Sequence, residues 1–359
     1  MHVPDGFLDA PTSLATGAIA IGTVGLALRR AEREIEVSGP ALPGLTAAFV
    51  FAVQMVNFPV GAGTSGHLLG GALAAALVGP WTAVLVMSTV LAVQALLFAD
   101  GGLTAIGTNV TLMAVVAVAV GYGVMRAALA VLPRRPHSVV PAAAVGALCS
   151  VPAAALAFTG LYAIGGTVPV PLGPLAGAMV GWHVLIGVGE AAITAAVLAA
   201  VVATRPDLVS AVRRTAARPV LVDGDGRPLP GDAVPPLGTT PTTAPVPAGA
   251  AGRGVLITGL LGALLVGGLV SLAASAHPDG LEFVAGALGF ETAARDSAAA
   301  GSLLADYGVA GLDGATAGSL SGVVGVVVTV GVGILVAALA RRRRGRRAGD
   351  APQPADARG

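Results

Sequence analysis

Residues 68–99 read LLGGALAAALVGPWTAVLVMSTVLAVQALLFA. One bilayer crossing takes roughly 20 apolar residues, so this run is too long for one helix. Gly79-Pro80 interrupts it, and proline ends or kinks a helix because it lacks an N–H and collides with the preceding turn. Whether the run crosses once or twice decides the topology of the whole chain.

The surrounding sequence leaves no soluble alternative. The chain has 359 residues, 55% of them hydrophobic and 11% charged, with a mean hydropathy of +0.85. Soluble domains carry about 25% charged residues. The fold class is therefore all-α, a polytopic membrane helix bundle. Besides 68–99, candidate spans run at 10–28, 40–59, 104–125, 138–164, 174–203, 255–276 and 320–340. Lys and Arg total 20 and all are Arg, so the net charge of +1 matters less than where the arginines lie. Arg29, Arg30 and Arg33 follow the first span, and Arg126, Arg134 and Arg135 follow span 104–125. Both clusters belong on the cytoplasmic side, so an even number of crossings separates them. Splitting 68–99 at Gly79-Pro80 gives that parity, with a short first helix near 68–78; a re-entrant segment gives it too. The expected topology is seven spans plus a two-span C-terminal module. The N-terminus, loops 60–67 and 100–103, and region 277–319 lie outside; Arg205, Arg213, Arg214 and the terminal RRRRGRR lie inside. The chain divides into a membrane domain (1–204), a linker (205–254), a two-helix module (255–341) and an Arg-rich cytoplasmic tail (342–359). PLPGDAVPPLGTTPTTAPVPAGAAG within the linker has too few apolar side chains to form a core and reads as disordered. Segment 10–28 reads as a retained helix, since no Arg precedes it and HVPDG supplies turn residues. Cys149, the single cysteine, sits in an apolar stretch and is expected to be a buried, inert helix residue.

Chemistry concentrates at five histidines. MHVPDGFL opens the chain, and HPDGLE at 277–282 nearly repeats it. A histidine at position two places an α-amine, an amide nitrogen and imidazole Nδ1 in chelating order. A fourth nitrogen completes a square plane suited to Ni(II), Cu(II) or low-spin Co(II). A metal must displace the amine proton, so binding is expected to weaken in acid. Position two also suits a frayed terminus, but Pro4, Asp5 and Gly6 build a turn that folds the end back. His67 lies among small residues in FPVGAGTSGHLLGG, where Ser65 is placed to hydrogen-bond locally; it reads equally as a ligand or as an exposed helix start. His183 and Glu190, seven positions apart in GWHVLIGVGEAAIT, share a helix face. Ionisable groups at membrane depth are expensive and usually functional, so both are candidates for supporting a ligand or lining a metal path, the alternative being a structural His–Glu or Glu–Arg pair. Gln54, Asn57, Gln94 and Asn109 are buried polar candidates for the same roles or for interhelical hydrogen bonds. His137 follows PRRP and reads as solvated. His277 follows no free amine, so HPDGLE does not copy the chelate. Its residues His277, Asp279 and Glu282 read as an accessory loop, a turn docked near the metal entrance, with His277 at most a relay ligand. Without lysine there is no P-loop, and HExxH and GxSxG are absent. An intramembrane enzyme built on His183 and Glu190 would need an open coordination position, which a closed four-nitrogen plane lacks. A stand-alone channel or ion-coupled carrier would use intramembrane acids, and Glu190 is the one good candidate.

MHVPDGFLD, FVFAVQMVNFPVGAGTSGHLLGGALAAALVGPW, VLAVQALLFADGGLTAIGTNV and GWHVLIGVGEAAIT, all within residues 1–200, resemble CbiM/NikM. That family comprises the substrate-binding membrane components of energy-coupling factor transporters for cobalt and nickel. HPDGLEFVAG, the later ADYG and the last apolar helix are similar to a PDGLE domain, the NikN-like accessory protein, here fused to the rest. The resemblance implies that the N-terminal segment folds back into the bundle from outside. It implies ligands at Met1 (amine), His2 (amide and imidazole) and His67. It implies Ni2+ or Co2+ as transported substrate with no organic cofactor, PDGLE leaning toward nickel. The implied partners are a transmembrane coupling subunit and two ABC ATPase subunits, with no nucleic acid, in the plasma (inner) membrane.

Overall fold

The structure is a computed structural model that describes residues 1–215, 248–312 and 314–349. Helix α1 (Ala10–Arg30) starts where Asp9 accepts the Thr12 N–H, with a proline in its first turn, and ends on Arg29 and Arg30. A short α2 (Glu32–Ser38) meets α3 (Ala41–Gln54) at a bend of 96°. A hairpin of β1 (Phe58–Gly61) and β2 (Thr64–Gly66) carries the chain back toward the bundle. The run at 68–99 breaks where expected, into α4 (Gly71–Val78) and α5 (Pro80–Leu97). Gly79 takes φ +96° at the break, a conformation open to glycine. Glu34 then caps the new helix, accepting both the backbone N–H and the hydroxyl of Thr82 at 2.8 Å. Next come α6 (Ile106–Val131), α7 (Val139–Gly165), α8 (Leu172–Thr204) and a short α9 (Ser210–Thr215). The C-terminal unit holds α10 (Ala248–Gly268), α11 (Gly280–Leu288) and α12 (Ala315–Gly349).

Each expected span contains a helix, but 40–59 is helical only to Gln54 and enters the hairpin at Phe58, and 255–276 is α-helical only to Gly268. Among the described residues, seven helices are long and apolar enough to cross a membrane, or eight if the bent α2–α3 pair is one span. The eight residues of α4 are too few to cross, rising about 12 Å. It is buried throughout instead. The C-terminal helices pack closely on the first domain. A Cβ on Gly322 would stand 2.0 Å from the Gly267 carbonyl, and one on Gly44 would stand 2.5 Å from Ile334. Small residues let helix backbones approach in lipid, and here they seat α12 against α10 and α3.

Two expectations change. The stretch 205–254 is not loose at its ends: Ser210, Ala211 and Val212 are buried in α9, and α10 already begins at Ala248. Residues 216–247, the heart of the expected disordered linker, lie outside the described residues, as do tail residues 350–359. Cys149 is half-buried, not buried. The inward stripe of α7 runs through Gly146, Ala147, Ser150 and Val151 and leaves position 149 on the flank.

Candidate metal-binding site

The N-terminal segment is buried and pinned by hydrogen bonds, not a frayed end. Met1 is 3% exposed and Val3 fully buried. Asn109 grips Val3 on both sides, accepting its N–H at 2.7 Å and donating to its carbonyl at 3.0 Å, while the Gly102 N–H donates to the same carbonyl. Asn109 leads into a π-helical stretch, Val110–Val116 within α6, a distortion often found at functional sites. The Asp5 carboxylate then collects the N–H groups of Leu103, Thr104 and Ala105 and the Thr104 hydroxyl. Gly6 completes the turn at φ +93°, where an added Cβ would stand 2.1 Å from the Ala293 carbonyl oxygen. Gly6→Ala combines a left-handed strain of about 1–2 kcal/mol with that collision. It is expected to loosen the segment and raise the acylation rate of the Met1 amine at least about tenfold. Unchanged labelling would show that the turn does not hold the terminus.

This docking puts the Met1 amine against His67 Nε2. His67 is 5% exposed, and its Nδ1–H donates to the Leu68 carbonyl at 3.0 Å. A carbonyl only accepts, so that bond fixes the tautomer and leaves the Nε2 lone pair aimed at the amine. The His2 ring stacks on His67 with centroids 5.1 Å apart. Its Nδ1 faces Asp100 at 3.1 Å and its Nε2 faces Gln94 Oε1 at 3.2 Å. Burial lowers the His2 pKa to about 4, against the opposing pull of Asp100. The ring is neutral and carries one N–H for two acceptors. Chelation through Nδ1 requires it to release Asp100.

The accessory loop comes closer than an entrance. Asp279 Oδ2 lies 2.7 Å from the Met1 amine and 3.6 Å from His67 Nε2. Burial alone would raise this carboxyl's pKa, but the amine and His67 hold it well below the usual range. Ser65 bonds across the domains, not locally as expected. Its hydroxyl donates to the His277 carbonyl at 2.7 Å and its N–H to the Pro278 carbonyl at 2.9 Å. Glu282 accepts the Asp279 N–H at 2.9 Å. The His277 ring is exposed, and its residue reaches the site only through that carbonyl. Asn57 is half-buried and contributes its carbonyl to the Ser275 N–H.

Behind His67 the interior is polar. Glu190 accepts the Leu69 N–H at 2.7 Å and the Gly70 N–H at 3.0 Å, and Gln54 donates to the Leu69 carbonyl at 2.8 Å. His183 is fully buried; its Nδ1–H donates to the Met179 carbonyl while its Nε2 has no protein partner. The sequence reading missed Asp100 and Tyr307. The Tyr307 hydroxyl donates to Asp100 Oδ2 at 2.5 Å, so the C-terminal unit also braces the carboxylate that holds His2. Burial and the Asp100 charge push the Tyr307 pKa well above its usual value. The signals were present, an acid straight after an apolar helix in FADGG and a lone tyrosine in ADYG, but nothing in the sequence pairs them. A cavity of about 390 Å³ opens beside the site, lined by His2, His67, Gln54, Asp100, Asp279 and Tyr307 among others. Among the described residues, no three His, Cys, Asp or Glu side chains are grouped to hold a metal. The Met1 amine is a further nitrogen at this point, beside His67 and Asp279.

Comparison with known proteins agrees with this architecture. Residues 2–208 match the CbiM family, described as a cobalt uptake substrate-specific transmembrane region, and residues 253–342 match the PDGLE domain. A putative metal transport protein of Haloquadratum walsbyi is 41% identical over 214 residues, covering 58% of this chain and 93% of that one. A putative fused nickel transport protein NikMN of Archaeoglobus fulgidus is 39% identical over 218 residues, covering 58% and 68%. The crystal structure of a truncated transition metal transporter superposes with a TM-score of 0.51 at 31% identity, over 56% of this chain and 99% of that one. The chain belongs to the CbiM family: it is a multi-pass membrane component of cobalt/nickel transport of the CbiM/NikM type, with a PDGLE domain behind it.

Proposed function

We propose that the chain is the substrate-binding component of an ATP-driven energy-coupling factor importer for nickel or cobalt, taking the ion from outside at a nitrogen site built on its own N-terminus. The ligands are the Met1 amine, the His2 amide and imidazole, and His67 Nε2. The observation that carries this reading is the buried Met1 amine placed on the lone pair of a tautomer-fixed His67. Ligation needs the amine deprotonated and the imidazole neutral; burial already keeps the His2 ring neutral. Gln54, Asn109 and Glu190 hold the ligand-bearing backbone, and His183, whose ring lies against Gly280 of the accessory loop, is a path residue. The chain lacks lysine and hence a P-loop, so nucleotide hydrolysis falls to two ATPase subunits acting through a transmembrane coupling subunit. The N-terminus and the accessory loop face outward and the C-terminus faces the cytoplasm, in line with the arginine clusters. Residues 1–204 and 255–341 act as two units joined by the intervening linker.

A stand-alone ion-coupled carrier is less well supported. Both oxygens of Glu190, its best coupling group, are committed to backbone N–H groups. The test is metal retention and transport. His67→Ala is expected to lower nickel and cobalt affinity at least about 100-fold, read by mass spectrometry of the purified protein. Vesicles holding the chain alone are expected to move no metal until the ATPase and coupling subunits are added. Uptake without them refutes the energy-coupling assignment.

A further inference from the structure

We infer that Asp279, carried by the C-terminal PDGLE domain, is an oxygen ligand of the transported metal and completes a site whose nitrogens come from the N-terminal domain. The inference rests on the nitrogen ligands proposed above and adds a donor from 212 residues away in sequence (279 − 67).

The geometry is that of a shared ion. Asp279 Oδ2 stands 2.7 Å from the Met1 nitrogen and 3.6 Å from His67 Nε2, and those two nitrogens touch. Ligands about 2.1 Å from one ion lie about 3 Å apart at right angles and about 4 Å apart when opposed. Amine, imidazole and carboxylate are thus already gathered at one point, and spreading the amine from its two neighbours by a few tenths of an ångström or more gives the spacing of donors around one ion. The carboxylate divides its work between its two oxygens. Oδ1 caps α11, accepting the Leu281 and Glu282 N–H groups at 2.8 and 2.9 Å, while Oδ2 points only into the nitrogen site. Asp279 is 8% exposed, and a buried carboxylate needs a positive partner. The Met1 amine is the basic group beside it here, at 2.7 Å, and a bound divalent ion would stand between the same two groups.

The loop is also held in place. Ser65 ties down the His277 and Pro278 carbonyls. The next residue, Gly280, lies so close to α8 that a Cβ would stand 2.8 Å from Ile186 and 3.1 Å from the His183 ring. Asp279 is thus positioned by both domains, as a ligand must be. Its chemical effect is on selectivity. A closed four-nitrogen plane suits Ni(II) and Cu(II). A carboxylate oxygen beside that plane raises the coordination number and favours cobalt and non-planar nickel over a strictly planar ion.

The test uses the full chain in detergent, loaded with Ni2+ or with Co2+, and reads the ligand shell by X-ray absorption and the affinity by competition with a chelator. Asp279→Asn keeps the helix cap, since asparagine caps as well as aspartate, but removes the anionic oxygen. The wild-type shell is expected to contain one oxygen beside the nitrogens. The variant is expected to lose it, to bind about 10–100-fold more weakly, and to shift nickel absorption toward the planar form. Glu282→Gln weakens the capping box but leaves the Asp279 carboxylate, and is expected to give the wild-type shell. A nitrogen-only shell in the wild type overturns the inference. So does an unchanged shell and affinity in Asp279→Asn, or a Glu282→Gln shell altered in the same way. If His67→Ala binds metal like the wild type, the nitrogen reading fails, and this inference falls with it. If His67→Ala loses metal while Asp279→Asn does not, the nitrogen reading stands and Asp279 is only the amine's counter-ion.

Discussion

One residue added ahead of Met1 is expected to lower nickel and cobalt affinity on the order of 100-fold or more, and to lower the melting temperature while leaving the chain folded. The addition turns the amine into an amide, which ligates only after losing its N–H proton as the His2 amide must, and it moves the free amine one residue away from His67. It also removes the positive charge that pairs with Asp279, leaving a buried carboxylate uncompensated, and neither loss is repaired by sliding. The Asn109 and Gly102 clamps fix Val3, Asp5 fixes the turn behind it, and a one-residue slip would break all of these bonds. The extra residue must instead be pushed toward the cavity beside the site, which has room for it, so the fold survives while the donor is lost. Bound metal measured by mass spectrometry beside a thermal melt separates the two effects. Retention equal to the unextended chain would remove the amine from the ligand set.

Much of the bundle was legible because membrane-spanning helices need only length and apolarity. The break at Gly79-Pro80 was readable for a local reason: both residues act on their own backbone. The bend between α2 and α3 was not, because Glu34 earns its place by capping α5, a partner 48 residues on. The burial of α9 is similar, since VSAVRR at 209–214 looks like any linker edge until it meets the bundle.

The site shows the same division. Met1, His2 and His67 stood out because histidine is rare in so apolar a chain and position two carries its own chelating chemistry. His183 and Glu190 stood out by cost, being ionisable at membrane depth. The roles of Asp279 and Tyr307 did not show, although both lie in recognisable stretches. Each acts on a partner about 200 or more residues away, and a single sequence holds no record of that pairing. The echo of PDG proved to be a likeness of turns with different duties: Asp5 anchors the terminus to the 103–105 backbone, and Asp279 enters the site.

Glu190→Ala is expected to be the most damaging change away from the ligands themselves, costing about 2–4 kcal/mol of stability and at least tenfold in metal affinity. Glu190 is fully buried and serves two backbone donors, the N–H groups of Leu69 and Gly70, just ahead of α4. The first N–H groups of a helix have no partner within it, and the bilayer interior offers no water to replace one. Each buried donor left unsatisfied costs about 1–3 kcal/mol. Both donors lie two or three residues beyond His67, and Gly70 holds φ +87° with Val50 packed against it, so a released turn moves the imidazole. Glu190→Gln keeps one acceptor and presents an NH2 group to the other N–H, so it should lie between wild type and alanine in both melting temperature and metal affinity. The pair of variants also tests the rival carrier reading. A proton- or ion-coupling carboxylate replaced by glutamine would abolish transport while leaving binding and stability at wild-type values. A backbone-holding carboxylate loses stability and affinity together, in the order Glu, Gln, Ala, and transport falls only in proportion to the metal bound.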